Sequence, residues 1–205
     1  MKCNPVSDQI TVCGQELNYE PFLYLMLHKP QGVVTASVDD RKRTVMDLLP
    51  EQYRDRKLFP VGRLDKDTEG LLLITDDGQL AHRLLAPSRH VEKEYYVTVE
   101  GSLGRHEQEA FLRGITLADN SSCMAAELKI LDQTEYDGQI RTNALVIIQE
   151  GKYHQIKRMF GVLNKPVLYL KRIRMGSLVL DDRLGPGMVR KLTEHERLSL
   201  EDLVR

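Results

Sequence analysis

An unbroken apolar run between two acidic turns is the feature that most constrains the fold of this chain. Residues 70–75 read GLLLIT, with DKDTE directly before them and DDG directly after them. A short run of this composition, bounded by turn residues, predicts a buried β-strand. The surrounding carboxylates raise a second question, because acids this close together can bind a cation, form a solvated turn or hold one acid for catalysis.

Segments of strand and helix character are interspersed along the chain without a regular βαβ order. Residues 22–28 predict a strand that ends in the turn KPQG, and residues 32–37 predict its hairpin partner. Further strands are predicted at 91–101, at 143–151, at 166–176 and twice within 115–132, and helices at 44–49, 77–85, 106–114 and 153–163. This pattern indicates an α+β protein with a mixed, largely antiparallel central sheet and flanking helices.

The segment YHQIKRMFGVL, residues 153–163, gives the clearest helix. Its apolar residues recur at helical spacing and form one stripe, made of Ile156, Met159, Phe160 and Leu163. This phase places three polar side chains at the edge of the stripe or on the exposed side: His154, Lys157 and Arg158.

Two other helices carry capping residues at their starts. Asp76 or Asp77 can accept hydrogen bonds from the first free amides of the helix at 77–85. Near the C-terminus, Thr193 and Glu196 have the spacing of a capping box and predict a last helix.

Composition excludes several classes of protein. Apolar residues make up 41% of the chain and charged residues 29%, as in soluble globular proteins. No apolar run approaches the roughly 20 residues that span a bilayer, and no basic-then-apolar leader opens the sequence. Cys3, Cys13 and Cys123 lack metal-ligand spacing, so a reduced, cytoplasmic setting is expected.

Positive charge collects in one tract although the formal net charge is −1. Between residues 151 and 174 the chain has no acid and carries Lys152, Lys157, Arg158, Lys165, Lys171, Arg172 and Arg174. Such a tract is either a solvated face or an organised surface for phosphates. Its alternation with patterned apolar residues favours the second interpretation.

The acidic stretch permits three interpretations on its spacing alone. Residues 65–76 read D-x-D-x-E-G-x5-D, close to an EF-hand calcium loop, with Gly70 at the turn position. Against calcium, Leu73 offers no oxygen, Asp76 is shorter than the usual Glu, and Pro60 precedes the loop where a helix should enter. The other two interpretations are a polar turn and a pair of catalytic carboxylates for glycoside hydrolysis, although no spacing identifies such a pair.

A resemblance to a known family discriminates among these interpretations. Residues 62–78, GRLDKDTEGLLLITDDG, resemble the signature of the pseudouridine synthases that modify bacterial ribosomal RNA. Three further blocks follow in that family's order: LMLHKPQGV from Leu25, EKEYYVTVEG from Glu92 and EGKYHQIKRMF from Glu150. A calcium loop would account for only one of these four blocks.

The resemblance implies an enzyme that isomerises uridine to pseudouridine in ribosomal RNA. It favours 16S small-subunit RNA, free or in an assembly intermediate, as the partner, with 23S large-subunit RNA as the alternative. It implies a catalytic domain at residues 22–205, with two halves and a central RNA-binding cleft, preceded at 1–21 by a remnant of an S4-type RNA-binding domain. A non-catalytic RNA-binding assembly factor of the same fold is the alternative of a different class.

The implied reaction needs neither a metal nor another cofactor, because it transfers no electrons and no external group. This agrees with a sequence that has neither a Gly-rich nucleotide loop nor a cluster of His and Cys ligands. Nothing in the sequence indicates an obligate protein partner, and a monomer is expected.

The family's catalytic residues map onto three positions. The aspartate of GRLD is Asp65, which would act as nucleophile or base. A carboxylate in a partly dry pocket tends to become neutral unless a cation favours its charged form. The family's last motif supplies that cation, and the matching residue is Lys157, with Arg158 as the alternative. Tyr95 matches the tyrosine that lies against the target uracil, and Tyr96 is expected to point to the opposite face.

Three other residues are expected to support the site or the nucleotide. Arg63 would contact the backbone of the flipped nucleotide or fill the space that its base leaves, unless it forms an ion pair with Asp67 or Glu69. Lys29, in the KPQG turn, would support the active-site loop. Gln155, like its neighbour His154, would orient residues of the last motif.

Lys171 and Arg172 are expected to contact RNA phosphates. Charge reversal at either position should then weaken RNA binding and leave the fold intact.

Overall fold

A computed structural model describes residues 11–12, 15–16 and 20–203. The strands are β1 Thr11–Val12, β2 Gln15–Glu16, β3 Tyr24–Lys29, β4 Phe59–Pro60, β5 Glu69–Thr75, β6 Lys93–Glu100, β7 Glu127–Tyr136, β8 Gln139–Ile148, β9 Val167–Met175, β10 Leu178–Val179 and β11 Val189–Lys191. The helices are α1 Gly78–Leu85, α2 Arg105–Arg113, α3 Gln155–Val162 and α4 Glu194–Leu203. Short 3-10 helices lie at Val45–Leu48, Glu51–Tyr53 and Pro87–Arg89.

The apolar run forms β5, which is buried on both faces. Leu71 and Leu73 pack into a core cluster with α1 and α4. Leu72 and Ile74 point to the other face and pack against the first 3-10 helix and its surroundings. Because both faces are covered, β5 needs apolar residues at every position, which explains why its sequence does not alternate.

The main sheet has the strand order β11-β3-β5-β9-β6-β8-β7, with β4 on β5 and β10 on β9. Its named strand pairs are antiparallel except the parallel pair β5–β9, which contributes two residue pairs, Glu69 with Lys171 and Gly70 with Arg172. The short parallel contact divides the sheet into two halves. One half contains β11, β3, β4 and β5, and the other contains β9, β6, β8 and β7. The predicted fold class is confirmed.

The second half has its own core beneath α2 and α3. The apolar stripe of α3 supplies Ile156, Met159 and Phe160 to this core, and Phe111 of α2 joins them. The rings of Phe111 and Phe160 lie 4.8 Å apart between centroids. The predicted phase of α3 is therefore confirmed, and it fixes which side of the helix faces the seam between the two halves.

Two strand predictions are wrong. Residues 32–37 form no hairpin with β3, because β5 occupies one edge of β3 and β11 the other. Only an isolated bridge joins Val34 to Thr44 in that part of the described chain. Residues 115–132 hold the start of one strand, β7, rather than two strands. Before it, the chain turns back on itself and forms an isolated bridge between Thr116 and Ser122.

Both predicted caps are present. Asp77 accepts hydrogen bonds from the amides of Gln79 and Leu80 at 3.0 Å, so it caps α1. Thr193 and Glu196 exchange the hydrogen bonds of a capping box at the start of α4.

The predicted domain boundary at residues 21 and 22 remains a prediction. Most of residues 1–21 lie outside the described residues; those described are the short β1–β2 pair and residues 20–21. Within the described ranges, no helix has the length and apolar character needed to cross a bilayer.

Gly70 allows β5 and β9 to approach each other. Its φ is +108°, and a Cβ there would lie 2.2 Å from the carbonyl oxygen of Arg172. We expect Gly70→Ala to lower the free energy of unfolding by at least about 2 kcal/mol, because backbone atoms must move to relieve the clash. Urea unfolding measures this loss.

Gly161, inside α3, is the matched control, since a Cβ there meets nothing within 4 Å. Gly161→Ala should leave stability unchanged or raise it by up to about 1 kcal/mol. Equal effects of the two substitutions would contradict the proposed close approach.

Candidate active site

A cleft opens at the seam between the two halves of the sheet. The loop before β5 lines one side with Arg63, Leu64, Asp65 and Thr68. The rest of the lining described here comes from Tyr95 on β6, from Lys152 and His154 in the turn before α3, and from Gln155 and Lys157 in the first turn of α3. The four sequence blocks that were separate along the chain thus converge, and three of them line the cleft directly.

The fourth block, LMLHKPQGV, does not line the cleft. It supports the loop before β5 through Lys29. This side chain is 0% exposed, and its ammonium donates hydrogen bonds to the carbonyls of Thr68 at 2.8 Å, Asp65 at 2.9 Å, Pro30 at 3.1 Å and Lys66 at 3.4 Å. A buried ammonium must find such acceptors. Lys29 therefore fixes the backbone from Asp65 to Thr68, and it supports the loop rather than touching the cleft.

Burial lowers the pKa of Lys29 to about 8, while the nearby negative charges of Asp65, Asp67 and Glu69 act in the opposite direction. The acidic character of the loop thus helps to keep the ammonium charged.

A second anchor holds the loop from the side. The hydroxyl of Thr35 donates to the carbonyl of Leu64 at 2.8 Å, and the amide of Gly32 donates to the carbonyl of Lys66 at 2.8 Å. Residues 32–37 therefore do not form the predicted hairpin strand, but through Gly32 and Thr35 they position the loop that carries Asp65.

Two cationic or potentially cationic groups face the Asp65 carboxylate. Nζ of Lys157 lies 3.7 Å from one carboxylate oxygen, and Nε2 of His154 lies 3.5 Å from the other. Asp65 itself is 28% exposed at its side chain, so it is reachable from the cleft.

Lys157 is shared with a second acid. Its ammonium donates a hydrogen bond to Asp67, and this contact is shorter than the one to Asp65. The hydrogen bond from Lys157 is the main cause of the lowered pKa of Asp67. The predicted proximity of Lys157 to Asp65 is observed, but its more direct partner is Asp67, a contact that was not predicted.

Tyr95 and Tyr96 point to opposite faces of β6, as expected. Tyr95 is 8% exposed and lines the cleft. Tyr96 packs edge-on against Tyr169, with ring centroids 6.2 Å apart. The hydroxyl of Tyr169 in turn donates a hydrogen bond to Glu69 at 2.7 Å. The Glu69 carboxylate is therefore bound by Tyr169 and is not among the residues that line the cleft.

Gln155 is a buried brace for the turn before α3. Its Oε1 accepts a hydrogen bond from the amide of Lys152 at 3.0 Å, and its Nε2 donates to Glu150 at 2.8 Å. Gln155 thus orients the last motif, as expected, and its polar atoms are used within the protein.

Two further cleft residues have polar groups available. Arg63 makes no ion pair with Asp67 or Glu69 in the described part of the chain, so the alternative role considered for it is not observed. The hydroxyl of Thr68 is buried and has no hydrogen-bond partner among the described residues. Thr68 was not among the predicted site residues, although its place within the signature is a signal that could have identified it.

Arg158 lies apart from the catalytic acid. Its guanidinium forms an ion pair with Asp119 at 2.5 Å, so it does not serve as the alternative partner of Asp65 here. This pair also contributes to the lowered pKa of Asp119, after the hydrogen bonds from Ser121.

Arg172 is not a surface residue, which corrects the expectation for this position. It is 3% exposed, and its Nε donates to the carbonyl of Leu71 at 2.8 Å. Its Nη2 is buried without a hydrogen-bond partner among the described residues. Lys171, the preceding residue on β9, points to the other face and is partly exposed. The two positions therefore have different roles, and only Lys171 is available to a phosphate.

The EF-hand spacing does not form a calcium loop. Residues 69–75 are the extended strand β5, which separates Asp65 from Asp76 by about 20 Å of chain. Asp76 is paired with Arg56 at 2.7 Å and accepts the amide of Leu23. The described residues contain no group of three or more His, Cys, Asp or Glu side chains able to hold a metal ion.

Comparison with known proteins identifies the family. The sequence profile of the RNA pseudouridylate synthase family matches residues 23–161. The chain belongs to this family. It is an RNA pseudouridine synthase, an isomerase that converts uridine to pseudouridine in RNA.

Individual relatives align with almost the whole length of this chain. The chain is 45% identical over 194 residues to the uncharacterized RNA pseudouridine synthase YtzG of Bacillus subtilis, covering 94% of this chain and 79% of the relative. It is 42% identical over 188 residues to the ribosomal small subunit pseudouridine synthase A of Vibrio cholerae, covering 91% and 78%. A crystal structure of a pseudouridylate synthase superposes with a TM-score of 0.79 at 37% identity, covering 100% of this chain and 83% of that one.

Lys29 should give the synthase a measurable pH dependence of stability. Its pKa of about 8 in the folded chain lies below that of a free lysine, about 10.4, so the unfolded chain binds one more proton between these values. This group should therefore raise the free energy of unfolding by up to about 1.4 kcal/mol per pH unit across that interval. Urea unfolding of wild type and Lys29→Met between these pH values measures the difference.

Lys29→Met should lack this increment and should be less stable throughout, because the loop carbonyls lose their donor. Lys66→Met, at an exposed side chain on the same loop, is the control and should follow wild type. Parallel pH curves for wild type and Lys29→Met would contradict the prediction.

Charge reversal should separate the roles of Lys171 and Arg172. Arg172→Glu should lower the free energy of unfolding by about 3 kcal/mol or more, because it buries a carboxylate and leaves the Leu71 carbonyl without its donor. Lys171→Glu should leave stability within about 0.5 kcal/mol of wild type and weaken RNA binding at low salt. Denaturation and filter binding measure the two effects, and unchanged RNA affinity in Lys171→Glu would exclude that residue from the RNA surface.

Proposed function

We propose that this synthase isomerises a uridine of small-subunit ribosomal RNA, and that Asp65 is its catalytic carboxylate. The observation that carries the proposal is the convergence of Asp65, Tyr95 and Lys157 on one cleft at the seam of the sheet. The proposal for the RNA substrate draws on the 42% identity to the small subunit synthase of Vibrio cholerae.

The reaction breaks the bond between C1′ of ribose and N1 of uracil, turns the base, and joins C1′ to C5. The proton on C5 is lost, and N1 gains a proton, so no atom or electron enters from outside. Asp65 acts either as a nucleophile on the ribose or ring, or as the base that removes a proton. Either role requires an ionised carboxylate at the reacting nucleoside.

Lys157 supplies positive charge for that carboxylate. Its ammonium lies between two acids, close enough to Asp65 for a Coulomb interaction and hydrogen-bonded to Asp67. Lysine presents a compact charge without the planar fork of arginine, so it can move between the two carboxylates without a large change of geometry. The nucleotide would enter next to Asp65 and Lys157. There the ammonium offsets the charge of Asp65, and the carboxylate stays accessible from the cleft.

Tyr95 and Thr68 would contact the extruded base. A target uridine must leave its stack to reach Asp65, and a flat ring in the pocket compensates for the lost stacking. Tyr95 lines the same cleft as Asp65, and this proximity supports the proposed role. The buried hydroxyl of Thr68, which has no partner among the described residues, would offer a donor or an acceptor in the same cleft. Arg63 would contact the nucleotide's phosphate or replace the departed base.

Substitution of the catalytic acid tests the assignment. Asp65→Asn keeps the size of the side chain and removes its charge, so pseudouridine formation in ribosomal RNA should fall by at least about 10³-fold. Asp67→Asn is the matched control, because it releases Lys157 toward Asp65, and its activity should stay within about tenfold of wild type. Tritium release from uridine labelled at C5 measures turnover for both variants.

The substrate is tested by mapping pseudouridine after incubation with separated ribosomal RNAs and with assembly particles. Modification of small-subunit RNA alone supports the proposal, and modification of large-subunit RNA alone rejects it. If Asp65→Asn restores growth or assembly in a strain that lacks the protein as well as wild type does, the essential role would be the non-catalytic one.

A further inference from the structure

Two aromatic rings are stacked at the mouth of the cleft. The rings of Tyr153 and His154 have centroids 3.8 Å apart and planes inclined by 20°. Tyr153 is 73% exposed, although its neighbour covers one side of its ring. A single exposed tyrosine needs no explanation. A pair of exposed rings held parallel at a catalytic cleft is a different feature, and we refer to it as the Tyr153–His154 ledge.

The backbone beneath the ledge is fixed and strained. His154 has φ 50° and ψ 34°, the left-handed conformation that non-glycine residues adopt at a cost of about 1–3 kcal/mol. The turn is closed by a hydrogen bond from the amide of Gln155 to the carbonyl of Lys152 at 3.2 Å. Buried Gln155 braces it further through Lys152 and Glu150. The backbone that carries both rings is therefore held in place, and the stacking of the two rings restricts their rotation.

The ledge adjoins the catalytic acid. Nε2 of His154 lies 3.5 Å from Oδ1 of Asp65, so a base on the ledge would lie beside the base that reaches Asp65. Lys152 and Lys157 lie on either side of the ledge in the sequence, and both line the cleft. Lys152 is paired with Glu150 at 3.4 Å and Lys157 with Asp67, so a connecting phosphate would compete with these carboxylates for the two ammonium groups.

We propose that the Tyr153–His154 ledge binds, by stacking, the nucleobase directly next to the target uridine in single-stranded RNA. This inference rests on the proposed function of the cleft. Single-stranded RNA is recognised mainly through unstacked bases that lie on aromatic side chains. When the target uridine is extruded, its neighbour loses a stacking partner, and the free face of Tyr153 replaces it. Because the rings are already oriented, little conformational entropy is lost on binding.

Short single-stranded RNA oligonucleotides with one central uridine test the ledge directly. One set carries the fluorescent base 2-aminopurine on the 5′ or the 3′ side of the uridine, and a second set carries an abasic site at the same positions. Wild type should quench 2-aminopurine on one side. Tyr153→Leu should bind about 5- to 100-fold more weakly and should lose the quenching, whereas Tyr153→Phe should retain both.

The abasic oligonucleotides separate stacking from a general effect on the fold. With the neighbouring base absent, wild type and Tyr153→Leu should bind equally, because there is nothing left to stack. Leu112→Ala, at an exposed apolar residue of α2, is the control substitution and should bind every oligonucleotide as wild type does.

The outcomes distinguish the ledge from the proposed function. Three results would overturn the proposal for the ledge. Tyr153→Leu could bind the intact oligonucleotides as tightly as wild type does, or its binding could be weakened equally on the intact and the abasic oligonucleotides. The third such result is that wild type binds none of them. The proposed function fails separately, if wild type releases no tritium from any ribosomal RNA. If turnover is normal in Tyr153→Leu, with neither KM nor kcat changed, the ledge has no part in the reaction.

Discussion

The parallel contact of β5 with β9 at Gly70 is the constraint on which the active site depends. It is the seam between two halves that otherwise have separate cores. On one side of the seam, the chain enters β5 through the loop that carries Asp65. On the other side, β6 and the start of α3 present Tyr95 and Lys157. A seam of only two residue pairs leaves the sheet open beside it, and this opening is the cleft.

The charges around the seam are divided between the interior and the cleft. Three cations are nearly fully buried, namely Lys29, Lys93 and Arg172, and the hydrogen bonds found for them go to backbone carbonyls. Burial lowers the pKa of Lys93, and the charge of Arg172 lowers it further. Because these cations donate to carbonyls, although Nη2 of Arg172 has no partner among the described residues, Asp65 and Asp67 are left to face Lys157.

The turn at residues 150–155 combines several tasks within a few residues. Gln155 closes the turn, His154 approaches Asp65, and Tyr153 presents its ring to solvent. The first turn of α3 then adds Lys157. A disturbance of this turn should therefore affect the charge near Asp65 and the proposed RNA contact together, so conservative substitutions are needed to separate them.

Local sequence was enough to identify many elements of this protein. The apolar run predicted β5, the periodicity of residues 153–163 predicted the buried stripe of α3, and the spacing of Thr193 and Glu196 predicted a helix cap. These features depend on residues only a few positions apart, so the sequence shows them directly. The signature blocks also identified Asp65, Tyr95 and Lys157 as candidates, and all three line one cleft.

Other features depend on residues that are far apart in the chain. Residues 32–37 have strand character, but both edges of β3 are occupied by strands from elsewhere. Arg172 stands in a basic tract, yet its position on a central strand buries it, while Lys171 next to it stays partly exposed. Asp67 becomes the nearer partner of Lys157 although the two residues are 90 positions apart in the sequence. The local elements and the chemical groups of the site can thus be read from neighbouring residues in the sequence. Which of those groups meet, and which are shielded from water, follows from strand pairing and burial, because both depend on the packing of the whole chain.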